Sequence, residues 1–228
     1  MYSLKLIITD DGSHSLSVPE LNESFHSVHG AVTESRHVFI KNGFRHLLSA
    51  ENPDKINILE IGLGTGLNVF LTLLENRKFK KKIYYTAIEP FPCPDDLLVK
   101  LNYSSMIAPG ENESLFGKIH ECAWEEFCEI DESFSLKKQH VTYQEFTVVH
   151  GNFDLVYYDA FAPSKQPEMW DPGLLRKTAD GLRPGGLIVT YTAKGQLKRD
   201  LKGLGLNVET LSGPPGKKEM IRAVKLQL

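Results

Sequence analysis

Apolar residues along this chain change their period several times, and each change marks a boundary between elements. LKLIIT alternates apolar with polar positions, DDGSH has the composition of a turn, and SLSV resumes the alternation, so a hairpin is predicted over residues 4–18. Val28, Val32 and Phe39 then fall at helical spacing, and Asn42–Gly43 offers a C-terminal stop. From Lys55 onward, short apolar runs alternate with helical periods: strand INILEI, helix LNVFLTLLENR, strand IYYTAIE, helix PDDLLVKLNYSS, and a second helical stretch around WEEFCEI. SFSLKK and FDLVYYD read as further strands, PGLLRKTADGL as a helix begun by Asp171 and Pro172, GLIVTYT as a strand, and KGQLKRDLKGL as a helix. LNVETLS and EMIRAVKLQL flank GPPGKK and predict a closing antiparallel pair. Alternation of this kind calls for a mostly parallel sheet covered by helices on both faces.

That order resembles the class I methyltransferases, an α/β fold with a Rossmann-like, mostly parallel sheet and an antiparallel C-terminal hairpin. On this reading residues 1–50 form a hairpin-and-helix extension packed on the core, and residues 51–228 form the methyltransferase domain. Composition agrees with a single core: the chain has 228 residues, of which 41% are hydrophobic. A net charge of -3 argues against a protein that coats nucleic acid nonspecifically, yet it leaves room for a local basic patch at Lys80–Lys82, Lys198/Arg199 or Lys217/Lys218. The sequence has no apolar run of membrane-spanning length, and MYSLKLIITDDG lacks the layout of a secretion signal, so a cytoplasmic protein is expected. Cys93, Cys122 and Cys128 have no zinc-like spacing, and His26 and His29 stand without a further ligand set, so no metal is expected.

The segment ILEIGLGTGLN ends a buried strand and passes through Gly62, Gly64 and Gly66 into a helix. Glycines let the backbone turn sharply and approach a ligand, and the helix start presents free N–H groups. Glu89 ends the next strand, where a carboxylate can accept hydrogen bonds from two ribose hydroxyls. A dinucleotide fingerprint would need glycine at position 67, which is Leu67. The pattern E-x-G-x-G-x-G is instead similar to the S-adenosyl-L-methionine loop of class I methyltransferases, with Glu60 placed to orient the loop or reach the methionine end and Asn68 beside it. LRPGGLIVTYT adds a PGG turn feeding a buried strand, common in the same fold. One departure is that the Gly-Asp pair many class I enzymes carry after the third strand is absent from KKQHVTYQEF, so Gln144 or Glu145 substitutes for it or apolar contacts hold the adenine.

YYDAFAPSKQPEMW stops a buried strand on an acid and then stiffens. FDLVYYD is the fourth strand of the parallel set, and ligands of open α/β sheets bind beyond the carboxyl ends of the strands, so Asp159 is expected to face the transferable methyl. AFAP after it forms a wall, with Phe161 able to stack on a flat ring and Pro163 and Pro167 limiting the loop. Taken with EIGLGTGLN, FHSVHGAVTESRHVFI and GPPGKKEM, the segment DAFAPSKQPEMW resembles the tRNA 5-methylaminomethyl-2-thiouridine-forming methyltransferase family over most of the chain. The resemblance implies a bacterial enzyme in stand-alone form, without the flavin-dependent oxidase often fused to it. Its activity would be S-adenosyl-L-methionine-dependent N-methylation of the 5-aminomethyl group of (2-thio)uridine at the wobble position, in the tRNA anticodon loop. It further implies a separate oxidase or aminomethyl-supplying enzyme, Asp159 as acceptor of the amine proton, and a site lined by Phe25, His26 and Glu34. Lys217 and Lys218 are candidate phosphate contacts. Two other classes compete: a small-molecule amine N-methyltransferase or aminopropyl transferase, which in the latter case would need acidic groups to hold a diamine, and a non-catalytic scaffold, which would be expected to lose Glu89 or Asp159.

Overall fold

Residues 3–110 and 113–226 are described by a computed structural model, and in it the N-terminal alternation becomes an antiparallel sheet of β1 (Lys5–Ile8), β2 (His14–Val18) and a short β3 (Glu23–Ser24). The turn between β1 and β2 does more than reverse the chain. Asp11 accepts the Thr33 N–H (2.9 Å), Thr9 Oγ1 the Ala31 N–H (3.2 Å) and Ser13 Oγ the Val32 N–H (3.3 Å), so three side chains of TDDGS satisfy the free donors at the start of α1 (Ala31–Ser35). The predicted helix starts later than Val28, which is exposed, and it does not stop at Asn42–Gly43: a π-helical segment, Arg36–Phe44, carries it into α2 (Arg45–Ala50). Gly43 serves packing instead. A Cβ there would lie 3.0 Å from Val189 and 3.1 Å from the Tyr157 ring, so its absence lets the helix press against the central sheet.

That sheet has eight strands. β4 (Lys55–Ile61), β5 (Lys82–Ile88), β7 (Phe134–Gln139), β8 (Phe153–Tyr158) and β9 (Leu182–Thr190) pair in parallel in the order β9-β8-β4-β5-β7. β11 (Glu219–Lys225) runs antiparallel beside β9 and β10 (Leu206–Ser212) beside β11, as the closing pair predicted. Side chains alternate faces with the period of two that strands impose. Ile58, Leu155 and Tyr157 join one core with the N-terminal helix and α3 (Leu67–Asn76); Leu59, Val156 and Tyr158 join another with α7 (Pro172–Gly181) and α8 (Gly195–Gly203). Asp171 caps α7 as expected, its side chain accepting the Gly173 N–H at 2.7 Å.

Between β5 and β7 the elements differ from those predicted. PDDLLVKLNYSS is two short helices, α4 (Asp95–Leu98) and α5 (Tyr103–Ile107), because Asn102 leaves the helical path to bond the β1–β2 region: its side chain accepts the His14 N–H (2.8 Å) and donates to the Gly12 carbonyl (2.9 Å). The next helix is α6 (Glu113–Glu121), which buries Leu115, Phe116 and Ile119. WEEFCEI is not helical: Glu125 takes a left-handed backbone (φ 70°), and β6 (Phe127–Asp131) follows as an antiparallel edge strand on β7. Asp131 closes that hairpin by accepting the Ser133 N–H at 2.9 Å.

Candidate active site

The carboxyl ends of β4, β5 and β8 face the N-terminal sheet across a cleft of about 2270 Å³. Its floor is the glycine loop, where Gly62, Gly64 and Gly66 all have positive φ (94°, 51° and 75°). A Cβ on Gly62 would stand 2.7 Å from the Asp159 carbonyl oxygen, and one on Gly64 3.1 Å from the Phe25 ring. The loop therefore needs glycine for its backbone and to sit close to the end of β8. Glu89 holds it from the other side, accepting the Gly64 N–H on Oε2 (3.0 Å) and the Phe91 N–H on Oε1 (2.9 Å). Burial pushes the Glu89 carboxyl up, and the two N–H donors oppose that push.

Beneath the loop, Asn68 Nδ2 donates both to Glu60 Oε1 (2.9 Å) and to Asp159 Oδ2 (2.8 Å). Glu60 is fully buried and lies below the cleft rather than in its lining, which suits the orienting alternative expected for it over contact with the methionine end. Burial drives its carboxyl well above the ordinary range. Asn68 thus joins the loop's acid to the acid at the end of β8. Asp159 is pushed up to about 7, first by burial and then by the Glu34 charge, against the Asn68 hydrogen bond and Lys217.

The other candidates converge on Asp159 from distant segments. Phe25 and Phe161 meet edge to face, ring centroids 5.6 Å apart. His26 is buried, pairs through Nδ1 with Ser15 Oγ (2.9 Å), and is pushed down to about 4 by burial, which keeps it neutral at physiological pH. Glu34, on α1, accepts the Ser27 N–H (2.7 Å) and the Lys217 ammonium. Lys217, a candidate phosphate contact from GPPGKKEM, instead has its ammonium on Glu34 and 3.7 Å from the Tyr191 ring centroid. Lys218 is exposed, outside the cleft lining. Pro163 is also outside that lining and opens the turn in which the Lys165 and Gln166 N–H groups close on the Ala162 carbonyl. Gly216, at φ 82°, packs so closely on His29 that a Cβ would meet the ring at 2.1 Å, which explains why FHSVHG and GPPGKKEM belong to one site.

Tyr191 was missed from sequence although the signal existed: it follows the end of β9 as Asp159 follows the end of β8. At the far end of the cleft, Thr142, Gln144 and Glu145 line the loop after β7, with Glu145 Oε2 accepting the Thr142 hydroxyl at 2.7 Å. A glycine cradle at a helix start, a carboxylate at the next strand end and an elongated cleft fit a nucleoside joined to an amino acid, as S-adenosyl-L-methionine is. Among the described residues no cluster of three or more His, Cys, Asp or Glu side chains is arranged to hold a metal.

Comparison with known proteins agrees with this geometry. Residues 129–226 match the family described as S-adenosyl-L-methionine-dependent methyltransferase. The chain is 28% identical over 224 residues to the tRNA 5-methylaminomethyl-2-thiouridine biosynthesis bifunctional protein MnmC of Leptospira interrogans, covering 89% of this chain and 32% of that protein. It is 29% identical over 217 residues to the protein of the same name from Aeromonas salmonicida, with the same coverage of 89% and 32%. The chain thus spans about a third of the curated relatives it matches. Among solved structures, MNMC2 from Aquifex aeolicus superposes with a TM-score of 0.79 at 25% identity, covering 100% of this chain and 72% of that one. Spermidine synthase from Thermotoga maritima shares the fold at a TM-score of 0.59 and 11% identity, covering 99% of this chain and 69% of that one.

Proposed function

We propose that the chain is an S-adenosyl-L-methionine-dependent methyltransferase of the group that includes the tRNA 5-methylaminomethyl-2-thiouridine biosynthesis proteins it resembles, and that its acceptor is the 5-aminomethyl group of a (2-thio)uridine at the tRNA wobble position. The observation that carries this reading is Asp159, a carboxylate at the end of β8 beside the Phe25–Phe161 ring pair. Such a site suits an amine attached to a flat base.

When bound, S-adenosyl-L-methionine supplies a methyl group activated by the sulfonium, which an amine lone pair can take. The chain's own work is to hold that amine as the free base and to remove a proton from its nitrogen. Asp159 accepts the proton on its carboxylate; with its pKa pushed up to about 7 it is a stronger base than an ordinary aspartate, and general-base assistance is typically worth ~10²–10⁴-fold. Asn68 holds one carboxylate oxygen, which fixes the direction of the other. Phe161, with its N–H donated to Gln166 Oε1 (3.2 Å) and its carbonyl accepting the Trp170 indole N–H (2.8 Å), sits in a braced turn and can stack on the uracil, a contact worth roughly 1–3 kcal/mol. Glu60, Gly62, Gly64, Gly66, Asn68 and Glu89 would hold the cofactor or the loop that holds it.

A diamine acceptor, as an aminopropyl transferase would require, calls for two free acids. Glu34 is the second acid near Asp159, and Lys217 already neutralises it. A scaffold has no use for a base tuned in this way. The acceptor's aminomethyl group would come from a separate oxidase or aminomethyl-supplying enzyme, and the setting would be the cytoplasm of a bacterium; no described helix is long and apolar enough to cross a membrane. The test is incubation with labelled S-adenosyl-L-methionine and bulk bacterial tRNA carrying the aminomethyl precursor, followed by digestion to nucleosides. Label in 5-methylaminomethyl-(2-thio)uridine is the expected result; label confined to a small amine would overturn the reading.

A further inference from the structure

We propose that the Glu34–Lys217 ion pair, seated on Tyr191, sets the charge of the acceptor end of the cleft to that of a single carboxylate, so that an alkylamine is held there as the free base. The inference rests on the amine acceptor argued above. An amine between two unpaired carboxylates would be stabilised as the ammonium, which has no lone pair and cannot be methylated. One free carboxylate can take the proton; a second would return it to the substrate.

The geometry is built for this pairing. The Glu34 side chain is 7% exposed, so water alone cannot screen it, and its second oxygen takes the Ser27 N–H (2.7 Å). Lys217, 31% exposed at its side chain, reaches Glu34 from the β10–β11 turn with its ammonium over the Tyr191 ring (3.7 Å). The turn has no slack: Gly216 packs against His29, and a Cβ on Gly213 would stand 2.4 Å from the Lys217 carbonyl. The other groups facing this end keep the balance clear. His26, from the loop after β3, is neutral; Glu60, on β4, is buried and pushed toward its protonated form; Asp11 acts on His26 and Glu23 on Tyr191; Lys165 donates to the Leu21 carbonyl (2.8 Å); Glu89 is held by the glycine loop. Lys217 and Glu34 act on Asp159 with opposite sign, Lys217 lowering and Glu34 raising it. Both are therefore positioning residues, acting through the charge that Asp159 and the amine experience.

The test begins without any acceptor. Asp159 is titrated by carbon NMR of its carboxyl in the substrate-free protein, assigned with Asp159→Asn, in wild type, Lys217→Met, Lys217→Arg and the double variant Glu34→Gln/Lys217→Met. Lys217→Met should move the midpoint up by about one unit, as expected for removal of a neighbouring opposite charge. Lys217→Arg should stay near wild type, and the double variant should return to or below it. If Lys217→Met fails to fold, the double variant, which leaves no buried charge unpaired, carries the comparison. With aminomethyl tRNA, the pH midpoint of single-turnover methylation should follow the same order, with Lys217→Met about tenfold slower at neutral pH and its KM for tRNA little changed. A Lys217→Met midpoint equal to wild type, or a Lys217→Arg shift as large as that of Lys217→Met, would overturn the inference. A changed KM and salt slope with an unmoved pH profile would do so too, by making Lys217 a phosphate contact. Wild-type enzyme that methylates no aminomethyl nucleoside would sink the acceptor reading alone, since the titration decides the charge balance without it.

Discussion

At the residue scale, Asp159 and Glu89 divide the labour of the cleft. Glu89 accepts the Gly64 N–H of the glycine loop and the Phe91 N–H, whereas Asp159 touches that loop through Asn68 and, on the proposed function, serves the acceptor. Asp159→Ala should therefore retain S-adenosyl-L-methionine binding within about tenfold by calorimetry and lose most turnover, while Glu89→Ala should lose binding first. The reverse pattern would exchange their roles. Asp159 also leaves a mark on stability. Its folded pKa of about 7 lies above the ordinary value of 3.8, so the folded state holds the proton more tightly and stability falls as pH rises through that window. Asp159→Asn, whose amide oxygen can still accept from Asn68, should match wild type near pH 4 and gain progressively up to about pH 7. The thermal midpoint at pH 8 should then be higher by about 2–4 °C for each kcal/mol relieved. An equal offset at both pH values would mean that the carboxylate is not strained by its surroundings. Asp159, Glu89 and the three glycines were legible in the sequence because strand ends and loop glycines carry local signals. Lys217 was legible as a charge but not as a partner, since nothing local brings residue 217 to residue 34.

At the element scale, the departures from the predicted secondary structure share one cause. Gly43 reads locally as a helix stop, yet the helix runs on because its missing side chain admits Tyr157 and Val189. Gly43→Ala would bring a methyl within about 3 Å of both, and overpacking of this kind typically costs 1–3 kcal/mol. Denaturant unfolding is the check, and a neutral or stabilising effect, as helix propensity alone would give, would show that the helix can move off the sheet. WEEFCEI has helix-compatible composition, but the exposed edge of β7 offers it strand hydrogen bonds. PDDLLVKLNYSS breaks where Asn102 reaches the N-terminal turn. In each case a contact outside the predicted helix, distant in sequence for Gly43 and Asn102 and across a short hairpin for WEEFCEI, outweighed a local preference of about a few tenths of a kcal/mol per residue.

At the scale of the whole molecule, a net charge of -3 has to be reconciled with the proposed RNA acceptor, and recognition of one splayed anticodon loop through a few phosphates would achieve that. Binding should be modest and salt-sensitive. With Lys217 committed to Glu34, Lys218 is the exposed member of the pair, and Lys218→Ala should reduce the slope of log affinity against log salt by ~0.7 if it meets a phosphate. A free 5-aminomethyluridine nucleoside should react far more slowly than the tRNA, because the remote contacts that orient the amine are missing; equal efficiency at low salt would favour a small-molecule enzyme. The amino-acid pattern by itself determined the parallel sheet, its closing antiparallel pair, the cofactor loop and the acid at the end of β8, because hydrophobic period and glycine placement act over a few residues. The tertiary structure alone decided that the β1–β2 turn caps α1, that His29 seats the β10–β11 turn, and that Lys217 and Tyr191 meet Glu34 beside Asp159. The pairings of His29 with Gly216 and of Glu34 with Lys217 join opposite ends of the chain, and only packing of the N-terminal sheet and helix onto the finished core brings them into one cleft.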